Sequence, residues 1–274
     1  MNIEKINDAF VVRRSIKRKD DTHKFLLASD VHFDSKYCDR KLFKKHLKQS
    51  QEDDAGVFIF GDFFDLMQGK MDRRGGKEDV RPEYSTESYF DDVLEDAYEF
   101  LKPYRKNILM MSEGNHESAV RERHEFDILR RLCHMLNVEK GGYKGFMRFN
   151  FDRANGSRDS KTLYWNHGSG GGGVSKGVPK SARRQDYIDA DLIVTGHLHE
   201  IFYIPRSRVK LTSALKIKEY EQEHVQLGTY KAAFQAAWES RMEFAPPNMG
   251  GMWIEFYRDD CRFPLTDFNI MRAK

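Results

Sequence analysis

The sequence predicts an α/β layered fold, on two observations. Five short apolar runs, each closed by a cluster of polar residues, recur between residues 25 and 199. Between them lie stretches in which apolar residues return at i, i+3 and i+4. Runs of about four apolar residues bounded by glycine and turn formers read as buried strands, and strands alternating with amphipathic helices imply packed α/β layers.

Residues 1–24 are highly charged, with Arg13, Arg14 and the stretch 17–21, and read as a solvated lead-in or an edge strand. The first apolar run, 25–28, leads into Asp30 and His32. A short helix is expected over 40–49, with Leu42, Phe43 and Leu47 inward. The run 57–60 leads into Gly61 and Asp62. The polar segment 66–85 contains Gly69, Gly75, Gly76 and Pro82 and reads as a mobile surface loop. Tyr89, Phe90, Val93, Leu94, Ala97, Tyr98 and Leu101 mark a helix within 86–102, closed by Pro103. The run 108–111 leads into Gly114, Asn115, His116 and Glu117, and one further helix is expected over 118–136. The run 162–165 leads into His167 and a glycine-rich tract, 168–173. The run 192–195 leads into Gly196, His197 and His199. Beyond 200 the pattern weakens. Residues 216–237 mix helical and irregular cues, Pro246 and Pro247 break the chain, and 251–257 read as one late strand.

The length of 274 residues allows one domain with a sizeable appendage, and we expect a single domain over 1–274. Its core would span about 25–200, with 201–274 as an extension that caps the site, mediates an oligomer contact or extends a sheet. No stretch has the apolar length of a membrane span, and residues 1–5 carry no apolar signal region, so a cytoplasmic location and no membrane partner are expected. Cys38, Cys133 and Cys261 are scattered, which argues against a disulfide framework and a thiolate zinc site. The net charge of +3 neither announces nor excludes an anionic partner.

The polar clusters carry the chemistry. Asp, His and Asn side chains stand at the carboxyl end of each expected strand, the edge where open α/β sheets bind ligands. Asp30 and His32 are two apart, so an extended strand end would project both to one side. Imidazole mixed with carboxylate suits zinc, iron or manganese, and seven candidate ligands exceed the needs of one ion. Two ions would use them all and could activate water for displacement at phosphorus.

Asp30-x-His32, Gly61-Asp62-x-x-Asp65, Gly114-Asn115-His116-Glu117, His167-Gly168 and Gly196-His197-x-His199, in this order, resemble the blocks of the calcineurin-like metallophosphoesterases. The resemblance implies a four-layer α/β/β/α sandwich. It implies that Asp30, His32 and His199 hold one metal, that Asn115, His167 and His197 hold a second, and that Asp62 bridges them. It makes His116 the catalytic residue, assisting the leaving oxygen, and Asp65 the carboxylate that orients His116. Manganese is the expected metal of the pair, with iron, zinc, nickel or cobalt as alternatives. The expected reaction is attack on a phosphodiester by a metal-bridging hydroxide.

Leu66 and Met67 stand where phosphoprotein phosphatases of this group carry Arg-Gly, and the paired His197 and His199 fit the diesterase pattern. The expected partner is therefore a phosphate ester, with nucleic acid or a nucleotide-like diester favoured. A phosphomonoesterase or protein phosphatase, and a non-catalytic metal-binding module, are the alternatives. Lys176, Lys180, Arg183 and Arg184 follow the glycine tract and form either a cationic rim or a plain linker. His23, His46, His124, His134 and His224 are read as structural, although His124, Arg121 and Arg123 follow the catalytic block closely enough to reach substrate. The oligomeric state is open.

Overall fold

The computed structural model describes residues 3–66, 79–154, 156–170, 178–232, 246–259 and 266–273. In chain order its strands are β1 (Ile3–Ile6), β2 (Ala9–Ser15), β3 (His23–Ala28), β4 (Gly56–Phe60), β5 (Ile108–Ser112), β6 (Glu139–Gly141), β7 (Lys144–Asp152), β8 (Arg158–Asn166), β9 (Leu192–Thr195), β10 (Phe202–Leu211), β11 (Ile217–Gln226), β12 (Met252–Arg258) and β13 (Thr266–Arg272). The helices are α1 (Arg40–Glu52), α2 (Tyr89–Leu101), α3 (Asn115–His124), α4 (Ile128–Leu136) and α5 (Val178–Gln185).

These strands form two sheets. One has seven strands in the order β1-β2-β7-β8-β9-β11-β10, and the other six in the order β13-β12-β3-β4-β5-β6. All five apolar runs became strands, and β3, β4 and β5 run parallel at the centre of the six-stranded sheet. Covered on both faces, they are apolar without interruption. The strand period of two divides each run between two cores. Phe25, Leu27, Phe58 and Phe60 point between the sheets, where they meet Phe149, Trp165 and Phe256. Leu26, Ala28, Val57 and Ile59 point outward to α1, α2 and α4 through Phe43, Leu47, Val93, Leu129 and Leu132. Phe149 lies 5.1 Å from Phe25 and 4.7 Å from Phe256, centroid to centroid. Each such ring, fully buried, contributes roughly 1.5–3 kcal/mol. On the other side α5 packs beside β10, near the small cluster of Tyr164, Ile188, Ala190 and Ile193. The order is helices, sheet, sheet, helix, the expected four layers.

Four expectations change. The helix expected over 118–136 is two helices, because Glu125 adopts a left-handed φ of 51° and the Asp127 carboxylate caps α4 by accepting from Arg130 N at 2.9 Å. The first of them also starts earlier, at Asn115. The segment expected to be a mobile loop, 66–85, is tied to the core at its described end: Lys36 N donates to Asp79 O (2.9 Å), Arg81 N to Asp34 O (3.1 Å), and Tyr84 is buried. The lead-in is a hairpin, and its second strand lies inside the sheet against β7 with Val12 fully buried. Residues 217–226, read as mixed helical and irregular, form β11. Its period of two lies in charge, not hydrophobicity, so an apolar count misses it. Residues 67–78 of the loop, 171–173 of the glycine tract with Lys176, residues 233–237 and Cys261 lie outside the described residues.

The described parts of 202–272 add β10 and β11 to one sheet and β12 and β13 to the other. Of the histidines read as structural, His46 is buried against the Tyr230 hydroxyl (2.9 Å) and His224 is buried beside Gln222 (3.0 Å). Arg121 pairs with Glu113 at 2.9 Å, and the His124 ring packs on Phe90. Among the described residues no helix is long and apolar enough to cross a membrane.

Candidate metal centre

The carboxyl ends of β3, β4, β5, β8 and β9 open onto one place, and each delivers polar side chains there. Asp30 and His32 follow β3, Asp62 follows β4, Asn115 and His116 open α3 after β5, His167 follows β8, and His197 and His199 follow β9. The expected extended geometry at Asp30 and His32 is not what aims them. Both have left-handed φ, 53° and 50°, as do Asp62 (50°), His197 (74°) and His199 (55°). Five of the seven candidate ligands therefore hold a conformation that costs of order 1–3 kcal/mol per non-glycine residue. Left-handed turns at five candidate ligands mark a place where the fold imposes geometry on side chains.

Backbone hydrogen bonds impose it. Asp30 N donates to Gly61 O (3.0 Å) and His32 N to Asp62 O (3.1 Å), locking the first two turns together. The buried Glu117 carboxylate accepts from Gly114 N (2.9 Å), Phe64 N (2.9 Å) and Asp62 N (3.2 Å). Burial and the nearby Asp62 charge push that carboxyl up to about 7. Asp34 accepts from Asp65 N (2.6 Å), Leu66 N (3.0 Å) and the Tyr89 hydroxyl (2.5 Å). Gly61 sits at φ 86°, and a Cβ there would overlap the His167 ring.

The side-chain atoms then meet in three groups: Asp30, His32 and His199; Asp62, His167 and His197; and His32, Asp65 and His116. Their hydrogen bonds show which atoms are left to face a ligand. His32 Nδ1 donates to Asp65 Oδ1 (2.8 Å), which leaves Nε2 as a lone pair, yet Nε2 faces His199 Nε2 at 3.2 Å. His167 Nδ1 donates to Phe60 O (3.0 Å), and its Nε2 lies 2.9 Å from Asp62 Oδ2 and 3.1 Å from Asn115 Oδ1, acceptors that either a proton on Nε2 or a metal ion must bridge. Asn115 Oδ1 also lies 2.7 Å from His197 Nδ1. Asp30 Oδ1, fully buried, has no hydrogen-bond partner, with the Nε2 atoms of His199, His32 and His167 at 3.3, 4.0 and 4.0 Å. Acceptors turned toward one another need cations between them. The residues present fit divalent metal.

The electrostatics agree. Burial lowers the His167 imidazole, but Asp62 and Asp30 overcome it and raise it to about 10. Burial would raise Asp62; His167 and His116 instead hold it well below the usual carboxylate range. Protein without metal must keep a proton on His167, which a bound ion would displace.

His116 is placed differently. Its Nδ1 donates to the Asp65 backbone carbonyl, and its Nε2 lies 3.8 Å from Asp62 Oδ2. The Asp65 carboxylate was expected to orient His116, but its near partners are His32 and Lys231, with His116 Nδ1 at 3.6 Å. Asp65 thus holds His116 by its main chain and His32 by its side chain.

Lys231 was not foreseen. It lies in the extension, is almost wholly buried, and places Nζ 3.3 Å from Asp65 Oδ2. A single lysine after a weakly patterned segment gives no signal in the sequence. Lys231→Ala leaves the Asp65 charge buried without its cation, which costs roughly 3–5 kcal/mol. Urea unfolding of the variant is expected to show that loss; an unchanged midpoint would mean the pair is not load-sharing in the folded state.

The family comparison comes to the same point. The sequence profile of the family described as calcineurin-like phosphoesterase matches residues 23–200, well over half of the chain. No curated protein matches the sequence. Among solved structures, the calcineurin-like phosphoesterase YfkN from Bacillus subtilis shares 11% identity, with 92% of this chain and 91% of that one covered and a TM-score of 0.43. A metallophosphoesterase from Sphaerobacter thermophilus shares 14%, covering 93% and 89%, with a TM-score of 0.41. GAP50, the anchor in the inner membrane complex of Plasmodium, shares 13%, covering 92% and 85%, with a TM-score of 0.43. With the ligand blocks in the expected order and inside the matched span, the chain belongs to the calcineurin-like phosphoesterase family.

Proposed function

We propose that this protein is a binuclear metal-dependent phosphodiesterase acting on nucleic acid or a nucleotide-like diester. The observation that carries the proposal is the set of inward-facing acceptors around the unpartnered Asp30 Oδ1. Asp30, His32 and His199 would hold one ion, Asn115, His167 and His197 the other, and Asp62 both, with manganese as the favoured metal. When bound, the ions supply Lewis-acid activation of water and neutralise charge at phosphorus.

The chain's own residues do the rest. His116 spends Nδ1–H on the Asp65 carbonyl, so Nε2, at the face toward Asp62, is the nitrogen that takes up and gives a proton, and it carries one only as the imidazolium. There it can protonate the departing oxygen. Asp65 fixes the His32 tautomer and thereby points Nε2 at the metal side, a role that partners of metal-binding histidines commonly fill. The diester assignment rests on Leu66 and on the pairing of His197 with His199. The buried free thiols of Cys38 and Cys133 suit a reducing cytoplasm.

Hydrolysis of bis(p-nitrophenyl) phosphate is the test. Activity is expected with manganese, is expected to vanish in chelator, and is expected to return with manganese, nickel or cobalt. Absence of turnover with every metal across pH 6–9 would overturn the proposal.

A further inference from the structure

We propose that the α5-facing side of the β10–β11 hairpin, together with α5, binds the phosphodiester backbone of a nucleic acid and leads it to the metal centre. The inference rests on the phosphodiesterase reading above and names its substrate class.

The hairpin sorts its charges by face. In its register Arg206 stands opposite Gln222, Arg208 opposite Tyr220 and Lys210 opposite Lys218. These residues share one side of the strands, the side turned to α5 and the segment after it. Arg208 Nη1 donates to Ile188 O (2.9 Å), and Gln222 Nε2 donates to Ile188 O and Ala190 O (both 2.9 Å). The intervening residues of β11, Glu219, Glu221 and Glu223, take the other side. Arg206, Arg208 and Lys210 stand two apart on β10, so they fall on one face, and Lys218 of β11, opposite Lys210, joins them. Burial, and then the nearby Arg206, Arg184 and Arg208, hold the His224 imidazole down at about 4. Cations gathered on one surface attract a polyanion.

The geometry suits a nucleic-acid strand. Alternate residues of a strand lie roughly 7 Å apart, comparable with successive phosphates of an extended chain. Tyr220 is interleaved with them, its ring 5.0 Å from Lys210 Nζ and 5.8 Å from Arg208 Cζ, and Tyr187 is 64% exposed just past α5. Basic tracks interleaved with aromatic rings are how sequence-tolerant nucleic-acid surfaces are built. The track also reaches the chemistry. Lys180 Nζ donates to Ser169 O, two residues beyond His167, and Arg184 follows one helical turn along α5.

An anionic membrane is the competing occupant, because Val209, Leu211, Leu215 and Ile217 expose apolar surface at the hairpin tip. The cations, however, run from the tip back to α5 and the metal centre, along a path a bilayer surface does not follow.

The test is fluorescence anisotropy of labelled phosphorothioate oligonucleotides, single- and double-stranded, titrated with the manganese-loaded full chain and with Lys210→Gln/Lys218→Gln. The unaltered protein is expected to bind. The double variant is expected to bind about tenfold more weakly, and its plot of log Kd against log salt is expected to be shallower by about two. Equal affinity and slope in the two proteins, or no binding by the unaltered chain, would overturn the inference. So would binding to phosphatidylserine vesicles that depends on these lysines while oligonucleotide binding does not. Turnover of bis(p-nitrophenyl) phosphate by the unaltered protein, measured in parallel, separates the two readings. Turnover without lysine-dependent oligonucleotide binding refutes only the surface; no turnover refutes the phosphodiesterase itself.

Discussion

Asp62→Asn is expected to empty the metal centre. The Asp62 carboxylate faces both ways: Oδ2 lies 2.9 Å from His167 Nε2, and Oδ1 accepts from His116 N at 2.9 Å. The amide is isosteric and can still accept from His116 N, so the turn should survive. What disappears is a buried negative charge held well below the usual carboxylate range by His167 and His116 against the cost of burial. The two dications of the proposed centre would need that charge between them. Affinity for both ions is expected to fall at least about 100-fold, more than is typical for loss of a residue that only supports a ligand. Metal content by elemental analysis after dialysis should drop from two ions per chain toward none. Loss of a single ion, with the other held at its original affinity, would show that Asp62 serves one site only.

His116→Ala is expected to do the opposite: keep both ions and lose the reaction. His116 belongs to neither of the two proposed ligand sets, and its ring hangs from the Asp65 carbonyl. Removing a general acid costs roughly 10²–10⁴ in kcat, with KM little changed because substrate binding does not depend on the proton. The loss should also depend on the leaving group. A p-nitrophenolate departs without much help, so its ester should lose least, and an alkyl ester should lose most. A variant that loses metal, or that slows both esters equally, would remove His116 from the proton-transfer role.

How far the sequence reached can be judged at particular residues. The runs at 25–28, 57–60, 108–111, 162–165 and 192–195 all became strands, because a strand buried on both faces writes itself as uninterrupted apolar residues. β10 and β11 wrote nothing of the kind. They lie at one end of the seven-stranded sheet and carry charge on both sides, so local apolar counts could not find them. The break at Glu125 was equally silent, since a left-handed glutamate leaves no compositional mark.

At the metal centre the division is sharper. Asp30, His32, Asp62, Asn115, His167, His197 and His199 were legible as candidate ligands, because ligand chemistry restricts residue type and each stands just past a strand. How they converge was not legible. An extended strand end at Asp30 and His32 was the natural expectation, and the fold uses left-handed turns pinned by Gly61 O and Asp62 O instead. Asp65 shows the same limit. Its place in the block was clear from sequence, but the choice of His32 and Lys231 as partners of its carboxylate depends on residues 33 positions back and 166 positions ahead. The sequence by itself determined the layered fold and marked out the candidate ligand residues, because periodicity and side-chain chemistry are local. Tertiary structure alone decided the turn conformations, the Lys231–Asp65–His32 relay and the cationic face of the hairpin. Each of these exists only where distant segments are brought within a few ångströms, and no local pattern encodes that distance.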